Sequence, residues 1–107
     1  MFGLGTKKIS SFELHNLIEQ KEKYILLDVR RPDEFSTGHI KTAKNIPNYR
    51  VDGKIIKKLK NKEDKIILYC QSGSRARGTA RKLKKFGYTN VLVLGGLMNW
   101  QFDLTKK

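Results

Sequence analysis

Cysteine occurs once in the 107 residues, which rules out an internal disulfide framework and a cysteine-rich zinc site and fits a reducing compartment. Long apolar runs are missing as well: no stretch approaches the length needed to cross a bilayer, and residues 1–8 lack the apolar centre of a signal peptide. A soluble cytoplasmic protein is therefore expected. There is no internal repeat and no low-complexity segment. Acid is scarce in one part of the chain only. Residues 1–35 hold six cations and six anions, whereas the seventeen Lys and Arg beyond them face only Asp52, Glu63, Asp64 and Asp103, so the whole net charge of +13 lies there. Such a surface attracts small oxyanions, acidic proteins and nucleic acid, although most of these lysines read as a well-solvated face.

What is present suffices for one core. The length allows a single domain over residues 1–107, with 1–7 as a loose extension, and the 38% hydrophobic content can fill its interior. Ser10-Ser11-Phe12-Glu13 has the form of a capping box and opens a helix through about Gln20, with Phe12, Leu14, Leu17 and Ile18 on its apolar side. His15 falls among them without a metal-ligand partner and reads as a boundary residue. Tyr24 to Val29 is an almost unbroken apolar run of strand length, hence a strand covered on both faces. Arg30 to Phe35 makes a short helical turn with its proline in the first turn. A loop over 36–40 leads to a short strand over 43–47 that ends at Pro47. Residues 52–59 fit a modest helix. Lys65 begins a strand that ends at Cys70. Ala76, Ala80 and Leu83 then mark one face of a helix capped near Gly87. Val91 to Leu94 is a further buried strand, Gly95-Gly96 ends it, and Leu97 to Phe102 is expected as a short helix carrying Trp100. Apolar strands alternating with helical segments predict an α/β fold, a mostly parallel sheet with helices on both faces.

In such a sheet ligands bind beyond the carboxyl ends of the strands, which is where Cys70 falls. Cys70-Gln71-Ser72-Gly73-Ser74-Arg75 follows the apolar run Ile66-Ile67-Leu68-Tyr69 and precedes helical spacing. A strand that enters a helix through a small glycine-containing turn points consecutive backbone N–H groups at one spot, where they and the helix dipole favour an anion. A cysteine there is expected to react as its thiolate, as cysteines at helix N-termini do. The plain alternative is a small buried hydrophobe at a strand end, but the residues that follow are those of an anion cradle. Asp28-Val29-Arg30 and Gly95-Gly96 end strands expected beside that of Cys70 and border the same crevice.

Taken in order, these pieces resemble the rhodanese (sulfurtransferase) family. The matching stretches are Leu27-Asp28-Val29-Arg30 with Glu34-Phe35, Gly38-His39-Ile40, Ala43 before Asn45-Ile46-Pro47, the loop from Cys70 to Arg75, and Gly95-Gly96 with Trp100. The resemblance implies a central sheet of about five strands and a sulfurtransferase in which Cys70 attacks the outer sulfur of a donor such as thiosulfate. A persulfide then passes to cyanide or a thiol, in two half-reactions. The amides of Gln71, Ser72, Gly73, Ser74 and Arg75 would hold the anionic outer sulfur, with no metal or organic cofactor. Asp28 and Arg30 are expected in supporting roles, Arg30 pairing with an acid such as Glu34. Arg75 reads as a brace holding the loop to Asp28 or Glu34 rather than as an anion ligand. Asp28 and His39 read as strand-end and loop hydrogen bonders, and Trp100 and Phe35 as core or pocket-rim aromatics.

Sulfurtransferases of this kind have four residues between cysteine and arginine and the related cell-cycle phosphatases have five, a wider cradle. Here Gln71, Ser72, Gly73 and Ser74 make four, which favours sulfur over the phosphatase or arsenate-reductase alternative. A different class of alternative is a non-catalytic binding module whose basic surface docks an acidic protein or RNA. The two combine if that surface chooses an acidic protein or tRNA-linked sulfur acceptor. Gln71 stands where many relatives carry a cation, and Arg77 or Arg81 compensates only if the helix turns it toward the mouth.

Overall fold

The computed structural model describes residues 6–51 and 59–107. In chain order the elements are β1 (Lys7–Lys8), α1 (Ser11–Glu19), β2 (Ile25–Asp28), α2 (Pro32–Ser36), β3 (Lys44–Asn45), β4 (Ile66–Cys70), α3 (Ser74–Lys85) and β5 (Val91–Gly96), with 3-10 turns at Asn48–Arg50 and Leu97–Asn99. The strands form one five-stranded sheet in the order β1-β5-β4-β2-β3, every pair parallel.

Alternation along the strands divides the core into two layers. Ile66, Leu68 and Cys70 point with Leu27, Val91 and Val93 toward Ala76, Ala80 and Leu83 of α3. Ile67 and Tyr69 point the other way with Leu26 and Leu94, toward Leu14 of α1 and Ile40. All five residues of β4 are buried, as expected of a central parallel strand covered on both faces.

Local chemistry fixes the helix ends. Ser10 caps α1: its Oγ accepts the Glu13 N–H at 3.0 Å while its own N–H donates to Glu13 Oε1 at 2.9 Å. Helix α3 closes on Gly87, whose φ of 95° suits a residue without Cβ. Its N–H donates to the Lys84 carbonyl and that of Tyr88 to the Leu83 carbonyl, which satisfies two of the last open acceptors.

Four expectations change. Phe12 is 61% exposed and packs edge-on against Phe102, because residues two apart on a helix do not share a face and Leu14 faces the core. The expected extension already pairs at Lys7: Lys7 and Lys8 lie beside Leu92 and Val93 as an edge strand. Two lysines give no apolar signal, and an exposed edge tolerates them. The helix expected over 97–102 is a single 3-10 turn. Beyond it Trp100 is extended, and the chain instead lays Phe102 on the His15 ring at 3.8 Å. The helix expected over 52–59 lies outside the described residues except for Leu59, which packs on the α3 side of the core.

Candidate active site around Cys70

Cys70 is the last residue of β4, between Asp28-Val29-Arg30 at the end of β2 and Gly96 at the end of β5. Asp28 is registered with Tyr69, and Cys70 with Gly96. The register slips by one residue where Leu68 faces Val93 but Tyr69 faces Gly95, so Leu94 is the extra residue of a bulge and Gly95 takes φ 99°. The slip brings Gly96 under the loop. A Cβ on Gly96 would stand 2.7 Å from the Gln71 carbonyl, and that carbonyl accepts the Leu97 N–H at 3.0 Å.

The loop turns at Gly73, which is buried, has φ 103° and caps α3. Its N–H donates to Cys70 Sγ at 2.9 Å, and the Ala76 N–H, in the first turn of α3, donates to the same sulfur at 3.4 Å. Cys70 itself is fully buried, whereas Gln71, Ser72 and Ser74 are exposed. Of the predicted loop amides, Gly73 therefore touches the sulfur. Ala76, one residue past the arginine, joins it unpredicted; its signal lay in its place as the third residue of a helix, whose N–H has no intrahelical acceptor.

Arg75 braces the loop. Its guanidinium makes two hydrogen bonds to the Glu34 carboxylate, at 2.8 and 3.1 Å, and Glu34 also accepts the Arg31 N–H. The Arg75 hydrogen bonds, opposed by partial burial, hold the Glu34 carboxyl down at about 2, and Glu34 in turn raises Arg75.

Arg30 pairs with Asp28, not with Glu34: Nη2 lies 2.7 Å from Oδ2 and Nε 3.0 Å from both carboxylate oxygens. Residues two apart on an extended chain share a side, and Glu34 is already engaged by Arg75. The pair is buried, at 0% exposure for Asp28 and 3% for Arg30. Burial opposes the Arg30 charge, but the bonds to Asp28 outweigh it and hold the guanidinium above its ordinary value. Arg30 also donates to the Gly38 carbonyl at 2.7 Å. Asn45, in β3, donates to the carbonyls of Asp28 and Arg30 and so fixes the bend after β2.

His39 is buried, stacks on Phe35 at 3.6 Å and places its ring nitrogens 2.9 Å from the carbonyls of Phe35 and Lys107, a structural position. Trp100 lines a groove of about 380 Å³ with His15 and Phe102 rather than the cradle. Arg77 reaches the loop: its Nη1 lies 2.9 Å from where a Gly73 Cβ would stand. Arg81 lies a turn further along α3. Among the described residues no group of three or more His, Cys, Asp or Glu is placed to hold a metal ion.

A parallel α/β sheet that delivers one buried cysteine to a helix N-terminus defines a class, and the comparisons agree with it. Residues 11–103 match the rhodanese-like domain, and the chain belongs to that family. It is 34% identical over 71 residues to the thiosulfate sulfurtransferase PspE of Escherichia coli, a match covering 66% of this chain and 68% of that protein. It is 32% identical over 107 residues to the adenylyltransferase and sulfurtransferase UBA4 of Candida albicans, covering 94% of this chain but 24% of that protein, so it spans about a quarter of that relative. Among solved structures, the rhodanese-related protein of Thermoplasma volcanium superposes with a TM-score of 0.78 at 27% identity, over 94% of this chain and 99% of that one.

Proposed function

We propose that the protein is a sulfurtransferase that carries sulfur as a persulfide on Cys70. The observation that supports this best is the pair of backbone N–H groups directed at Cys70 Sγ, that of Gly73 from the loop and that of Ala76 from the first turn of α3. In the first half-reaction the Cys70 thiolate attacks the outer sulfur of a donor such as thiosulfate. The donor S–S bond breaks, sulfite leaves with its electron pair, and a new S–S bond forms on Cys70. In the second, a thiolate or cyanide attacks the outer sulfur, and the electron pair returns to Cys70 Sγ. The electrons balance between donor and acceptor, so the two half-reactions consume no external oxidant or reductant.

The cradle's task is electrostatic. The negative charge moves from Sγ to the outer sulfur and back, and N–H groups fixed in advance at both positions stabilise it without reorganising. Gly73 and Ala76 serve the inner sulfur. The amides of Ser74 and Arg75, at the first two positions of α3, have no intrahelical acceptor and serve the outer one. The Arg75–Glu34 and Arg30–Asp28 pairs act one step back, keeping the loop and the end of β2 in place.

Incubation with thiosulfate, a polysulfide or cysteine persulfide followed by intact mass measurement is expected to show one added sulfur that cyanide removes and that Cys70→Ser never acquires. Unchanged mass with every donor would overturn the proposal. Cys70-dependent turnover of an aryl phosphate without persulfide formation would replace it with the phosphatase reading.

A further inference from the structure

Among the described residues, two other than glycine take a positive φ, Lys21 at 54° and Thr42 at 76°. Each stands at a turn position where glycine is usual. The Lys21 and Glu22 N–H groups donate to the Ile18 and Leu17 carbonyls, which closes α1 as a Schellman cap with Lys21 at its left-handed position. The Ala43 N–H donates to the Ile40 carbonyl at 3.0 Å, so Thr42 is the third residue of a tight turn, and a β-branched side chain suits a positive φ poorly. Residues held in such conformations lower stability and collect at functional sites.

The two residues lie far apart in the chain but border one cleft of about 360 Å³. It opens at the amino ends of β2 and β3, at the opposite end of the sheet from Cys70. Lys23 and Lys44 line it with Lys21, all three exposed, and Glu22 is the one carboxylate beside them, so the lining carries a net charge of +2. None of the three lysines forms a salt bridge among the described residues. The Tyr24 and Thr42 hydroxyls, both at the cleft, meet at 2.8 Å. One donates to the other, which leaves the hydrogen of the second for a ligand oxygen. Ile18 and Ile25, half-buried, add apolar surface. A phosphate monoester matches this lining, with about −1.5 to −2 charge at pH 7 and three acceptor oxygens for lysine and hydroxyl donors. A carboxylate brings one charge and two oxygens.

We infer that this cleft binds a small organic phosphate monoester, its phosphate held by Lys21, Lys23, Lys44 and the Thr42 hydroxyl and its carbon skeleton laid on Ile18 and Ile25. Lysine and threonine occupy two turn positions that favour glycine because their side chains serve the ligand, and the strain lowers stability in return. The cleft binds and performs no chemistry. Its volume suits a small molecule. The inference stands apart from the sulfurtransferase reading, since the cleft and Cys70 lie at opposite ends of the sheet.

The test is calorimetric titration of the full chain with three probes: phenyl phosphate, benzoate, which keeps the ring with a single charge, and inorganic phosphate, which keeps the charge without the ring. Saturable binding of phenyl phosphate is expected, at least about fivefold tighter than of either other probe, the lower range of a charge-assisted hydrogen bond. Cys70→Ser leaves it unchanged. Thr42→Gly and Lys21→Gly each weaken it by a similar factor, while the thermal unfolding midpoint stays level or rises because the strain is relieved. Lys44→Ala weakens binding without that relief, and Lys85→Ala, on α3 across the sheet, changes neither quantity. Weaker binding together with undiminished stability is a result that turn residues with a merely structural role would not give. The inference is overturned by absence of saturable binding, by benzoate binding as tightly as phenyl phosphate, by loss of binding in Cys70→Ser, or by unchanged affinity in both Thr42→Gly and Lys44→Ala. A lower midpoint in both glycine variants assigns Lys21 and Thr42 to the fold and overturns it as well.

Discussion

Gly96 lies closer to the chemistry than its place at the end of a strand suggests. With 2.7 Å between its missing Cβ and the Gln71 carbonyl, a methyl group must push the loop outward, and the atom it meets is backbone rather than a flexible side chain. Gly96→Ala is expected to cost about 1–3 kcal/mol in stability, the usual range for overpacking, and to slow Cys70 alkylation because Gly73 and Ala76 lose their aim at the sulfur. Thermal denaturation and iodoacetamide kinetics measure the two effects. Glu34 gives a pH prediction. Its carboxyl is held at about 2 in the folded protein, below its ordinary 4.5. The stability it contributes is therefore complete above about pH 4.5 and is lost as pH falls from there toward 2, where the folded state must also protonate. Denaturant unfolding at pH 7 and pH 3 should show Glu34→Gln less stable than the wild type at pH 7, with the difference shrinking at pH 3. An equal difference at both values would mean that the Arg75 bonds do not depend on the carboxylate charge. The placement of Cys70 at a strand end before a helix and the Arg75 brace were legible at this scale because the strand, the turn and the helix carry local signals. The choice of Asp28 over Glu34 by Arg30 was not, since it depends on Glu34 being taken by a residue 41 positions away.

Among the elements, the central strands and the two long helices were readable because each carries its own signal: unbroken apolar runs for β2, β4 and β5, a capping box for α1, and small apolar residues at spacings of four and three for α3. Elements held by their neighbours were not. Two lysines become β1 only because β5 offers an open edge, and the 3-10 turn after Gly96 stops at Asn99 because the aromatic contacts with α1 draw the chain away. Helix α1 has one fully buried residue, Leu14, at 0% exposure. Leu14→Ala is expected to destabilise the protein by about 2–5 kcal/mol, as large-to-small changes in a core do, whereas Phe12→Ala, at the exposed position, should fall well short of that. Chemical denaturation of the two variants separates the observed register of α1 from the one its sequence pattern predicted. The end of β2 is also costly to break. Asp28→Ala leaves the Arg30 charge buried without its partner, a loss of about 3–5 kcal/mol, which a fall in the unfolding midpoint would report.

At the scale of the whole molecule, the sheet order brings three strand ends to one edge, and each contributes one thing. β4 delivers the thiol, β5 the glycine platform beneath the loop, and β2 the buried Asp28–Arg30 pair on the Tyr69 face of the sheet. Parallel pairing places all three at their carboxyl ends, so segments from residue 28 to residue 96 meet at one end of the sheet. The family and the five-stranded parallel fold were visible in the ordered motifs. That Lys8 and Arg77 border one cleft was not, because it depends on β1 pairing with β5. The central claim is that Cys70 carries sulfur, and the most direct measurement is the intact mass of the protein after exposure to a sulfane-sulfur donor. The account predicts a gain of one sulfur on Cys70, reversed by cyanide and absent in Cys70→Ser. A wild-type mass that stays unchanged with thiosulfate, polysulfide and cysteine persulfide would contradict it.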